Sequence, residues 1–148
     1  MIKLKSNAWF MLLATALISG TAVAEESNWS LGHGYASGGA LGVQYQWLQE
    51  QYKLTAAVGL VGAAVGVQRS LGDAGMHSIG LATGVEAITA ESGFLIATYQ
   101  YYPSGFANSG FRLGFSAGAR REDEGRFYGG QGKKETKAVV MFELGYQF

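Results

Sequence analysis

The chain has 148 residues with eleven basic and eleven acidic side chains, no cysteine, one proline and 23 glycines. That even balance gives no support for the concentrated basic face of a nucleic-acid binder, and the lack of cysteine excludes disulfides and thiolate metal sites. So much glycine disfavours helix, and near-absence of proline suits unbroken hydrogen-bond ladders, so a sheet protein is expected.

In chain order, Lys3 and Lys5 precede an apolar run from Ala8 to Ile18, the small-residue sequence Ala22-Val23-Ala24, and then Glu25 and Glu26. This order of regions predicts a Sec-type secretory signal peptide over 1–24, removed after Ala24. The apolar run is shorter than the roughly 20 residues of a membrane-spanning helix. A domain over 25–148 remains, with nine basic and eleven acidic residues and a formal charge of −2.

Successive side chains of a strand face opposite sides, so alternation is the diagnostic. Trp29, Leu31, His33 and Tyr35 alternate with Ser30, Gly32 and Gly34. Leu41, Val43, Tyr45 and Trp47 alternate with Gly42, Gln44 and Gln46, and Tyr52, Leu54, Ala56 and Val58 alternate with Lys53, Thr55 and Ala57. The pattern repeats from Ala63 to Ser70, from Ser78 to Val85 and from Leu95 to Tyr101. In the last two segments Phe111, Leu113 and Phe115 oppose Arg112, Gly114 and Ser116, and Phe142, Leu144, Tyr146 and Phe148 oppose Glu143, Gly145 and Gln147. About eight segments of roughly ten residues predict an all-β, antiparallel, up-and-down barrel. Connections are expected at Ser37-Gly38, Glu50-Gln51, near Val61-Gly62, and at 72–75, 87–92, 103–109 and 121–135. The join near Val61 has no strong turn dipeptide, and a single bent strand there would change the count.

The face opposite the large apolar residues carries Gly, Ser, Thr and Gln with few charges, which suits a narrow lumen better than a soluble surface. The apolar face is therefore expected to meet lipid. With both chain ends in the periplasm, Trp29, Tyr45, Trp47, Tyr52, Tyr101, Phe111, Tyr146 and Phe148 fall at one rim, where aromatic rings favour a membrane interface. The opposite rim would carry only Tyr35 and Phe94. Arg69 shares the outward parity near the periplasmic rim, within snorkelling reach of headgroups.

The ending Phe142-Glu143-Leu144-Gly145-Tyr146-Gln147-Phe148 resembles the last strand of small bacterial outer-membrane β-barrel proteins of the eight-stranded type. The resemblance implies a transmembrane barrel in the cell outer membrane, recognised by the barrel-assembly machinery through Phe142, Leu144, Tyr146 and Phe148. It implies no cofactor, and outer-membrane lipid and lipopolysaccharide as surroundings; a monomer is expected.

Three further expectations concern sites. Arg112 and Glu143 share inward parity on neighbouring strands, and a last hairpin centred near residue 127 or 128 would bring them almost opposite each other as a lumenal ion pair. The expected loop over 121–135, with its flanks, offers Arg120, Arg121, Arg126, Lys133 and Lys134 as contacts for lipopolysaccharide phosphates, although a solvated hairpin tip has the same composition. A lipid-A acylase or deacylase would need an activated nucleophile. His77 and Ser78 are neighbours on opposite faces, His33 has outward parity, and Glu86 and Glu91 have no matching partner, so a structural or surface-interaction barrel with no open pore is favoured. The lipid-A enzyme and a soluble exported barrel with an apolar ligand inside are the alternatives.

Overall fold

The computed structural model describes residues 28–87, 90–124 and 133–148; the expected signal segment 1–24 and Arg126 lie outside them. Eight strands follow one another: β1 (Trp29–Gly34), β2 (Gly39–Gln49), β3 (Tyr52–Gly59), β4 (Gly62–Leu71), β5 (His77–Glu86), β6 (Ala90–Tyr101), β7 (Gly110–Glu124) and β8 (Lys133–Gln147). Each pairs antiparallel with its neighbours, and β8 pairs with β1 to close a barrel. The uncertain join is a two-residue connection, Leu60-Val61, and the count is eight.

Cα partners traced around the wall from Trp29 run through Tyr45, Ala56, Val65, Thr83, Leu95 and Ala119 to Ala138. Ala138 stands ten residues before Phe148, whose N–H donates back to the Trp29 carbonyl at 3.0 Å. Eight strands with this stagger tilt by about 40° and leave an interior only wide enough for side chains.

The polarity is inverted relative to a water-soluble domain. Gln44, Lys53, Gln100, Arg112 and Glu143 are buried inside, whereas Val140 is 79 % exposed, Phe111 62 % and Leu95 60 %. We call the rim where β1 begins and β8 ends the lower rim, and the opposite one the upper rim. The lower interior is polar. The upper interior packs Tyr35, Phe94, Ile96 and four alanines, with Val139 and Met141 against them.

Three expectations are corrected. Tyr35 and Phe94 are not on the upper rim but buried inside, their ring centroids 4.9 Å apart. The reason is local: β1 stops at Gly34, and Tyr35–Ser37 form a 3-10 turn that folds into the barrel between glycines of positive φ, Gly34, Gly38 and Gly39. An L side chain would be strained at those angles. The long loop is also shorter than expected, because β7 and β8 stay paired out to Glu124↔Lys133 and only 125–132 connect them. Finally, β6 begins at Ala90, earlier than the expected connection over 87–92 allows, with a register irregularity opposite it between Gly84 and Glu86.

The inward turn needs room. A Cβ on Gly42 would land on the Ser37 carbonyl oxygen, and one on Gly59 would meet the Gly38 carbonyl. Gly42→Ala should therefore lower barrel stability by about 1–3 kcal/mol, the range for overpacking a filled interior. The urea midpoint of the heat-sensitive gel mobility shift checks this; an unchanged midpoint would mean that the turn is not seated there.

Candidate functional site

Inside the lower barrel the strands aim polar side chains at one another, and Gln100 of β6 is at the centre. Its amide oxygen accepts from Arg112 Nη1 at 3.2 Å, and its amide nitrogen donates to Glu143 Oε2 at 2.8 Å. The Tyr102 hydroxyl lies 2.7 Å from both Gln100 Oε1 and Gln68 Oε1 and shares its one proton between them. Arg112 Nη2 donates to Ser37 Oγ at 3.0 Å, and the Ala36 N–H donates to Glu143 Oε1 at 3.4 Å. The inward-folded upper turn is thus tied to the charges below it. Gln44 joins the same web, donating to the Ala36 carbonyl at 2.9 Å while its oxygen accepts from Ser30 and Gln46.

Arg112 and Glu143 both enter this web, but not in the register expected. Arg112 stands opposite Gly145 and Glu143 opposite Gly114, one pleat repeat from direct pairing, so their contact runs through Gln100. Glycine at 145 makes this possible: a Cβ there would lie 2.5 Å from Arg112 Nε, and one on Gly34 would lie 2.6 Å from Glu143 Cγ. Arg112 and Glu143 are each 3 % exposed, so each hydrogen bond replaces hydration that burial removed.

The lower end is closed by a second inward feature that the alternation did not foretell. After β6 the chain buries Tyr102 and Phe106, and Lys53 of β3 holds them. Its Nζ donates to the Phe106 carbonyl at 2.7 Å and to Gln147 Oε1 at 2.8 Å, and lies 4.2 Å from the Phe106 ring centroid and 4.7 Å from that of Tyr102. Gln147 also donates to the Phe106 and Asn108 carbonyls. Lys53 and Gln100 were legible as polar residues of inward parity. Tyr102 and Phe106 lie in a connection, where period-two parity carries no information.

At the upper mouth Arg120 turns inward, donating to the Tyr35 hydroxyl at 3.0 Å and pairing with Glu122 at 2.5 Å. Lys137 pairs with Glu122 at 2.7 Å and with Glu135 at 3.7 Å. Of the expected lipopolysaccharide contacts, Arg121 and Lys134 are exposed on the paired extension, and Arg120 is committed to this cluster. Lys133 has a described backbone only, and Arg126 lies outside the described residues, as does the Glu91 side chain. Glu86 is buried near the upper turn.

On the outer wall the eight expected aromatics gather at the lower rim. Trp29 meets Tyr45 at 4.8 Å, Tyr45 meets Trp47 at 4.6 Å, Phe111 meets Tyr146 at 5.1 Å, and Tyr146 meets Phe148 at 5.2 Å. Tyr52 and Tyr101 face outward at the same level. His77 stacks on Tyr99 with Nδ1 2.7 Å from its hydroxyl, while the neighbouring Ser78 is buried inside. His33 faces outward, its Nδ1 2.8 Å from the Ala40 carbonyl. The two imidazoles lie on separate strands, and among the described residues their hydrogen-bond partners are the Ala40 carbonyl and the Tyr99 hydroxyl. Phe142, Leu144, Tyr146 and Phe148 form one exposed file along β8.

Comparison with protein-family models, curated proteins and solved structures finds no match for the chain.

Replacing Gln100 by Leu removes a partner from Arg112, Glu143 and Tyr102 at once and should destabilise the barrel by about 2–4 kcal/mol, since buried charged groups lose their hydrogen bonds. A double-mutant cycle between Arg112→Gln and Glu143→Gln should give a coupling of about 1 kcal/mol, carried through Gln100. Both are read from urea unfolding midpoints, and strictly additive single effects would rule out the relay.

Proposed function

We propose that the chain is an integral outer-membrane β-barrel with a structural or surface-contact role, no chemistry of its own and no open pore. The observation that supports it most strongly is the pairing of an inverted polarity with a one-sided aromatic rim. Water would impose a large cost on so continuous an apolar wall, whereas hydrocarbon imposes none. In hydrocarbon every backbone N–H and C=O must be satisfied within the protein, and closing the sheet does this. Strands β2, β4, β5 and β6 are 11, 10, 10 and 12 residues long. Three of those lengths fall within the roughly 9–11 tilted residues that cross a bilayer, and β6 exceeds them by one.

In this reading the lower rim, with its Trp and Tyr belt, is the periplasmic interface, and the β7–β8 extension projects outside the cell. Its exposed cations, Arg121 and Lys134, suit lipopolysaccharide phosphates through charge-assisted hydrogen bonds. The exposed file from Phe142 to Phe148 is the face we assign to the barrel-assembly machinery. The lumen is occupied at the top by the inward turn and at the bottom by Tyr102, Phe106 and Lys53, which favours a plug over a channel.

Expressed in a Gram-negative host, the chain should fractionate with the outer membrane, resist extraction by carbonate and urea, and migrate differently on gels before and after boiling. In planar bilayers it should give no steady conductance. Release by carbonate without detergent would overturn the membrane assignment, and stable single-channel steps would overturn the plugged lumen.

A further inference from the structure

Arg69 departs from the rest of the outer wall. Among the described side chains of β1 to β6 it is the one Lys, Arg, Asp or Glu that faces outward. Its cross-strand partners are Tyr52 and Ile79. Its guanidinium sits 5.7 Å from the Tyr52 ring centroid, and among the described residues no carboxylate comes within ion-pair distance of it. An arginine on a lipid face costs about 2–4 kcal/mol at mid-bilayer, falling to about 0–1 near an interface. Arg69 stands at the aromatic rim, where that cost is small and an anionic headgroup is within reach.

A groove of ≈ 710 Å³ crosses the wall from Tyr52 of β3 to Val140 of β8, with Arg69 lining it next to Tyr52. Its floor follows one cross-strand row, Val67↔Leu81↔Ala97↔Ala117↔Val140, in which the two alanines leave the depression. The neighbouring row, Arg69↔Ile79↔Tyr99↔Phe115, forms the taller bank and carries the charge at its end. Because the strands tilt, this row climbs from the lower rim toward the middle of the wall. A long apolar trench with one unneutralised cation at its rim end is complementary to a molecule with one anionic head and a long hydrocarbon tail.

We propose that this wall holds one anionic glycerophospholipid of the periplasmic-side leaflet, its phosphate on Arg69 and one acyl chain along Val67, Ala97 and Ala117. This rests on the membrane assignment above. Arg69 reads the negative headgroup, and Tyr52, its ring centroid 5.7 Å from the guanidinium, limits the rotamers it must give up on binding. The small residues read the chain by shape, since an apolar tail gains nothing by leaving lipid except closer packing.

The test uses the folded chain in zwitterionic detergent, with dioleoylphosphatidylglycerol or dioleoylphosphatidylcholine added and bound lipid counted by native mass spectrometry. Flotation with vesicles and the gel shift are recorded first for every variant. Wild-type protein should retain one phosphatidylglycerol in preference to phosphatidylcholine. Arg69→Gln should lower phosphatidylglycerol retention about tenfold, as expected for loss of a charge-assisted contact, and leave phosphatidylcholine unchanged. The pair Ala97→Phe and Ala117→Phe, which fills the trench and keeps the charge, should lower both. Equal retention by wild type and Arg69→Gln would overturn the site while leaving the barrel intact. A dimer peak abolished by the alanine substitutions would put a second copy in the groove and overturn the lipid assignment. Failure of wild-type protein to float with vesicles would instead overturn the membrane reading on which the site depends.

Discussion

The width of the barrel limits everything inside it. Eight strands staggered by ten residues enclose a space that side chains alone can fill. No bulk water is left to hydrate Arg112, Glu143 or Lys53, so each must find its partners among the residues opposite. Gln100 is central for this reason: an amide can accept from a guanidinium and donate to a carboxylate at the same time. Glycine is part of the same economy of space, since Gly145 and Gly34 lie where the stems of Arg112 and Glu143 must pass.

The same narrowness explains why both ends can be closed by very short segments. One 3-10 turn carrying Tyr35 fills the upper interior against Phe94 and Ile96. One connection carrying Tyr102 and Phe106 fills the lower end around the Lys53 ammonium. The two plugs are linked through the web, because Ser37 and Ala36 of the upper turn bond to Arg112 and Glu143, and Gln100 joins those to Tyr102. A continuous chain of hydrogen bonds therefore runs from one end to the other.

Much of the wall was legible from alternation because a strand pays for a register error by turning its whole apolar file the wrong way. The inward parity of Lys53, Gln100, Arg112 and Glu143 could be read directly, as could the gathering of Trp29, Tyr45, Trp47 and Phe148 at one rim. Parity failed where the chain left the extended state. Tyr35 continues the outward file of Trp29, Leu31 and His33 on paper, yet three glycines of positive φ turn it inside. The pairing of Arg112 with Glu143 missed by one pleat because parity defines a face and does not define a height along it. The charged stretch after Arg120 reads as loop by composition, whereas cross-strand pairing keeps it extended to Glu124.

The sequence by itself determined a count of about eight strands, the side of the wall that most strand residues occupy and the apolar character of the outside, all consequences of a period of two acting on local pattern. Only the tertiary structure decided which inward residues touch. That depends on stagger summed around eight strands and on two connections that fold inward, neither of which leaves a periodic trace. The proximity of Gln100 to both Arg112 and Glu143, the seat of Lys53 between two rings, and the trench that Arg69 lines are all products of that closure.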